Sequence, residues 1–196
     1  MKRIVSALFV SAAMLLAAPA IQAAPILFVT DLSGPAESPP NASPGTGFAS
    51  VLIDDVTHQM VVHIVFSDLA GLTTASHIHC CTAVPGAGNV MVATVLPNFT
   101  GFPLGVVSGT YDHTFDTSLA STWNAAFVAG HGGTPLGAEA ALIAGMLGDM
   151  AYLNIHSQIF PGGEIRGFLQ VPEPATLALL CCGLLMLGFA QRRRLG

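Results

Sequence analysis

Residues 152–168 carry the pattern that most constrains the fold of this chain. Tyr152, Asn154 and His156 alternate there with apolar residues, and two charged residues continue the alternation after a Pro-Gly-Gly turn. Successive side chains of a β-strand point to opposite faces of its sheet. The stretch therefore predicts a β-hairpin with one apolar face and one unusually polar face.

Short segments with the same alternation recur along the chain and are separated by turns rich in glycine and proline. We predict strands at 25–31, 48–54, 60–66, 77–79, 90–96 and 107–115, in addition to the hairpin. Alanine and leucine at helical spacing predict one or two short helices, at 116–129 and 136–147. Together these elements predict an all-β fold, a Greek-key-like β-sandwich with one or two short helical insertions.

The N-terminus has the composition of a secretory signal. Lys2 and Arg3 precede an apolar run at 4–16, which is followed by small residues up to Ala24. A basic end, an apolar middle and a small-residue cleavage region predict a signal helix at 1–23. The alternative is an uncleaved anchor.

The C-terminus predicts a sorting segment at 172–196. The motif Pro172-Glu173-Pro174 precedes an apolar run at 175–190 and the basic triplet Arg192-Arg193-Arg194. The apolar run predicts a short transmembrane helix, because sixteen residues in a helix span about 24 Å. The arginines are expected to stay on the cytoplasmic side. A plain tail anchor is the alternative to a sorting segment.

This order of motif, apolar helix and basic stop resembles the PEP-CTERM sorting signal of Gram-negative bacteria. The resemblance implies transient insertion in the inner membrane and processing by an exosortase. It also implies export to the cell surface or the extracellular matrix.

The charge of the region between the two terminal segments excludes one class of partner. Residues 24–171 contain ten acidic residues and a single basic one, Arg166, for a formal charge of −9 with neutral histidines. Phosphate backbones repel such a domain, so nucleic acid is not an expected partner.

Two histidines on one predicted strand suggest a metal site. His77 and His79 lie at i and i+2 and therefore share a face, which Cys81 joins if the strand continues. His156 could complete a copper or zinc site, provided that the fold brings it within a few ångström. The alternative is that these histidines hydrogen-bond to neighbours on a polar sheet face.

Several roles are possible for the other reactive or charged residues. Cys80 and Cys81 could form a vicinal disulfide, bridge two molecules or bind a metal. Glu164 and Arg166 share a face of the hairpin, and we predict that they are structural, with the guanidinium bonded to carboxylates or carbonyls. No nucleophile elbow or phosphate-binding glycine motif is present, so no catalytic residue is predicted.

Three blocks together resemble the CHRD domain, which was named from chordin. They are Ser76-His77-Ile78-His79, Tyr152-Leu153-Asn154-Ile155-His156 and Pro161-Gly162-Gly163-Glu164-Ile165-Arg166-Gly167. The resemblance implies an extracellular β-rich domain at 24–171 with no established enzymatic activity. The expected function is therefore that of an exported, non-enzymatic surface or matrix protein without a cofactor. It would act by binding, with exopolysaccharide or surface proteins as candidate partners.

A shorter stretch suggests an alternative function. Gly71-Leu72 followed by His77-Ile78-His79 is similar to the copper-binding strand of Cu/Zn superoxide dismutase, which is another β-sandwich. This resemblance implies copper or zinc as a cofactor and a redox or dismutase activity.

Overall fold

The structure, a computed structural model, describes residues 24–173 of the 196-residue chain. The predicted signal helix at 1–23 lies outside the described residues. So do Pro174, the predicted transmembrane helix at 175–190 and the arginines at 192–194. Within residues 24–173, no helix is long and apolar enough to cross a membrane.

Seven strands form one antiparallel sheet, and two short helices lie between the fifth and sixth strands. The strands are β1 (Ile26–Ser33), β2 (Thr46–Asp54), β3 (Gln59–Ser67), β4 (Thr73–His79), β5 (Gly109–Asp116), β6 (Tyr152–Ser157) and β7 (Ile165–Phe168). The helices are α1 (Ala125–Gly130) and α2 (Pro135–Leu147). The strand order in the sheet is β4-β6-β7-β1-β2-β3-β5.

The sheet curls, so that its two edge strands lie over one core. The segment between β4 and β5 connects the edges: the Phe99 N–H donates to the Ser76 carbonyl at 3.0 Å, and the Phe99 ring stacks on Tyr111 of β5. Core residues from both ends of the sheet form a single hydrophobic cluster. The predicted all-β, sandwich-like fold with short helical insertions is confirmed.

The two halves of the sheet differ in how many faces are covered. In β2 and β3 one face is buried, as at Val51 and Val62, while the other exposes Leu52 and Val61. In β6 and β7 nearly every residue is buried, so loops must cover the face that points away from the core. The polar side chains of the predicted hairpin lie on this covered face.

Two predicted elements are shorter than the sequence pattern suggested. The strand predicted at 90–96 is reduced to isolated bridges at Val92 and Thr94, because this segment crosses the polar face of β4 as a loop. The helix predicted at 116–129 is limited to α1. Its start is fixed by Asn124, whose side chain accepts from the Ala126 N–H and so acts as an N-cap.

Cys80 and Cys81 directly follow β4 and form a vicinal disulfide. Both sulfur atoms face α2 close to the Ala141 carbonyl, and Gly145 lies directly opposite them. A β-carbon at position 145 would lie 2.6 Å from the Cys81 sulfur and would also overlap the Cys80 sulfur. The absence of a side chain at Gly145 therefore allows the helix to pack on the disulfide.

Replacing Gly145 with alanine is expected to lower the free energy of unfolding by about 1–3 kcal/mol, the usual cost of overpacking a core. Gly130 in α1 provides the matched control, because a β-carbon there would meet no atom of residues 24–173 within 4 Å. Gly130→Ala is expected to be neutral or slightly stabilising. Chemical denaturation of both variants tests the contact, and equal effects would contradict it.

Candidate metal centre

Strand pairing brings three histidines together on the loop-covered face of β4 and β6. In this antiparallel pair His77 is opposite Asn154, and Ala75 is opposite His156. His156 is therefore a diagonal neighbour of His77, with ring centroids 5.3 Å apart, and the His79 ring lies 5.9 Å from that of His77. His77 and His79 are buried, and His156 is half-buried.

Each imidazole donates one N–H to a backbone carbonyl of a covering loop. Nδ1 of His79 donates to Val90 at 2.7 Å, and Nδ1 of His156 donates to Pro161 at 2.9 Å. Nε2 of His77 donates to Pro97. Because a carbonyl oxygen can only accept, these bonds fix the proton on the bonded nitrogen of each neutral ring.

The remaining ring nitrogens are left with lone pairs and no hydrogen-bond partner in the described part of the chain. Within the described residues, Nδ1 of His77, Nε2 of His79 and Nε2 of His156 are all buried and lack a hydrogen bond. One ligand nitrogen from each of the three rings lies within 4.8 Å of those of the other two. The fold thus brings together three imidazole rings, each of which has one ring nitrogen without a partner.

Burial keeps the three rings neutral. Burial lowers the pKa of His79 to about 4, although the bond to the Val90 carbonyl opposes the shift. The pKa values of His77 and His156 are also lowered, again mainly by burial. Metals bind the neutral form of imidazole, so at neutral pH these residues need not lose a proton before they act as ligands.

Three neutral imidazoles match the donor preferences of copper and zinc. Nitrogens bound tetrahedrally to one such ion at about 2.0–2.1 Å are about 3.4 Å apart, so the three rings would have to move closer together to bind an ion. The three backbone carbonyls hold the rings in the way that outer hydrogen bonds commonly orient metal-binding histidines. The fold therefore meets the condition on which the proposed site at His77, His79 and His156 depends.

The suggestion that Cys81 adds a sulfur ligand needs correction. The Cys81 sulfur is bonded to Cys80 and packs against α2. A sulfur held in a disulfide is not available as a thiolate, which is the form that binds metals. Among the residues that the structure describes, the group of candidate ligands consists of the three histidines alone.

Glu164 and Arg166 hold the loops around the site. Glu164 is fully buried and accepts from the Ser43 hydroxyl at 2.6 Å and from the backbone N–H groups of Ala70 and Gly71. Arg166 is also buried, and its Nε donates to the Ala36 carbonyl at 2.6 Å. Both side chains are thus bonded to loop groups, and their structural role stays a prediction.

Glu37 is a buried acidic residue that the sequence pattern did not identify. It lies in a proline-rich loop whose composition is typical of a solvated connector. Its side chain is nevertheless buried, and its Oε2 lies 3.7 Å from Nε of Arg166. Burial raises the pKa of Glu37 to about 7, while the charge of Arg166 opposes that rise. No local pattern marks a loop carboxylate whose partner is so distant in the chain.

A family model for the CHRD domain matches residues 28–169. The chain belongs to the CHRD domain family. The match covers all seven strands of the CHRD domain except the first two residues of β1, in agreement with the resemblance seen in the sequence.

A second model, for the PEP-CTERM protein-sorting motif, matches residues 170–194 after the CHRD domain. Such a motif implies processing by an exosortase and export by a membrane-anchored sorting route. A search of curated proteins finds no match to the chain. A search of solved structures also finds none.

Proposed function

We propose that this CHRD protein is an exported, non-enzymatic binding protein and that its ligand is a copper or zinc ion. The ion would be held by His77, His79 and His156. The observation that carries the proposal is that one buried ring nitrogen of each histidine has no hydrogen-bond partner among the described residues.

A role in the fold alone would leave these three buried nitrogens without a partner among the described residues. A buried acceptor without a partner costs about 1–3 kcal/mol, and three of them in one cluster multiply that cost. A bound ion would satisfy all three at once. The formal charge of −9 at residues 24–171 further favours a cation as the ligand.

The place of action follows from the sorting motif. We propose that an exosortase-type enzyme processes the chain at the inner membrane of a Gram-negative bacterium. The CHRD domain then reaches the cell surface or the extracellular matrix, where exopolysaccharide or surface proteins are its candidate neighbours. Deletion of residues 172–196 tests this route: unchanged processing and location would contradict it.

His79→Asn provides a sharp test of the metal site. The asparagine amide can replace Nδ1 of His79 as donor to the Val90 carbonyl, but it offers no nitrogen in place of Nε2. Wild-type protein is expected to bind about one copper or zinc ion per chain. The variant is expected to bind at least about 100-fold more weakly, since even outer-shell changes cost 10–100-fold.

His63→Asn is the matched control, because His63 lies on β3 and pairs with Asp112 outside the cluster. Elemental analysis and titration of the purified full chain give the measurement. Equal binding by the wild type and His79→Asn would contradict the site. Superoxide dismutation by the copper-loaded wild type, above that of His79→Asn, would replace the non-enzymatic function with the dismutase-like alternative.

A further inference from the structure

Asn154 lies among the three histidines in the pairing of β4 and β6. It is on β6, directly opposite His77 of β4 on one side and Arg166 of β7 on the other. Only 2% of the residue is exposed, so its side chain is shielded from bulk solvent.

The side-chain oxygen of Asn154 has no hydrogen-bond partner among the described residues. It shares this property with the three ring nitrogens of the cluster, and a buried amide oxygen without a partner carries a similar cost. The backbone of Asn154 is satisfied separately, because its carbonyl accepts from the Ser76 hydroxyl at 2.8 Å. The oxygen is therefore a fourth unused donor atom on the same face.

Asn154 is also a diagonal neighbour of His79, which follows His77 by two residues on the same face of β4. Oδ1 of Asn154 and Nε2 of His79 are both buried, and both lack a hydrogen-bond partner among the described residues. A cation that accepts a lone pair from each of these atoms would satisfy both.

We propose that Oδ1 of Asn154 is the fourth ligand atom of the ion, beside the ring nitrogens of His77, His79 and His156. This inference rests on the proposed function. Four donors complete the coordination that zinc prefers. Cys81 is not available for this position, because its sulfur is bonded to Cys80. The resulting donor set of three nitrogens and one oxygen suits a divalent ion of borderline softness, zinc or Cu(II).

Two substitutions at Asn154 separate this role from simple packing. Asn154→Leu keeps the branched shape and the number of side-chain heavy atoms but removes the oxygen, and zinc is expected to bind about tenfold more weakly or worse. Asn154→Asp keeps the shape and adds a negative charge to the donor, so zinc is expected to bind about tenfold more tightly. Competition against a chromophoric chelator with the purified full chain measures both.

Cobalt substitution provides a second readout that a packing role would not change. The visible absorption of Co(II) depends on its donor atoms, so both variants are expected to shift the spectrum of the cobalt-loaded protein. Thermal unfolding of the metal-free variants checks that they fold. If Asn154→Leu does not fold, the isosteric Asn154→Asp decides the question.

The outcomes distinguish this inference from the proposed function. Wild-type affinity together with an unchanged cobalt spectrum in the folded variants would overturn the role of Asn154, while the three-histidine site would stand. Failure of the wild-type protein to bind zinc or copper would overturn both.

Discussion

Replacing Arg166 with alanine is expected to lower the free energy of unfolding by about 3–5 kcal/mol. This is the usual cost of removing one partner of a buried ion pair, and the other partner here is Glu37. Arg166 is the single basic residue between 24 and 171 and is 3% exposed. Its removal leaves buried acceptors without donors and opens a space on the polar face of the sheet.

The effect should be large because Arg166 joins two loops to β7. Nε donates to the Ala36 carbonyl in the loop before β2. Nη1 donates to the Gly88 carbonyl at 3.1 Å and to the Asn89 side chain at 2.7 Å in the loop that crosses β4. The guanidinium also lies 4.6 Å from the centre of the Tyr152 ring, a cation–π contact that burial strengthens.

Arg166→Lys is the informative second variant. Lysine keeps the charge but has no planar fork, so it cannot reach both loops, and we expect it to lose most of the same stability. Asp55→Ala on the exposed turn after β2 is the control, with an expected change within about 0.5 kcal/mol. Urea denaturation gives the values, and an Arg166→Ala change as small as that of the control would contradict the structural role.

Strand content was readily predictable, because alternation is a local signal. The hairpin of β2 and β3 pairs as its sequence pattern predicts, and Leu153 and Ile155 of β6 lie in the core while Tyr152 and Asn154 lie on the other face. What the pattern could not provide is the cover over that second face. The covering loops contribute mainly backbone carbonyl groups, which every residue type carries.

The candidate site was predictable in part. The spacing of His77 and His79 places them on one face from local geometry alone. The position of His156 depends on the register between β4 and β6, which are separated by more than seventy residues of chain, and no local pattern specifies it. The oxygen of Asn154 was not predictable for another reason, because an asparagine in a strand has no spacing that marks it as a ligand.

A saturating metal ion is expected to stabilise the wild-type CHRD domain and to leave His79→Asn unchanged. A ligand that binds only the folded state adds about 2.7 kcal/mol at a free concentration 100 times its Kd. The three histidines lie on two strands and are bonded to loops at Val90, Pro97 and Pro161. Unfolding separates these elements, so the unfolded chain is expected to bind the ion much more weakly.

The metal-free proteins provide the decisive comparison. His79→Asn keeps a hydrogen-bond donor for the Val90 carbonyl. It loses the packing of the ring against Tyr152, but it also removes the unpartnered buried Nε2, and the two effects on stability offset each other. Its metal-free stability is therefore expected to lie within about 1 kcal/mol of the wild type. Thermal unfolding with and without zinc or copper measures both quantities. A histidine that served the fold alone would give the opposite pattern, with a large loss of stability in the metal-free variant and the same small response to metal in both proteins.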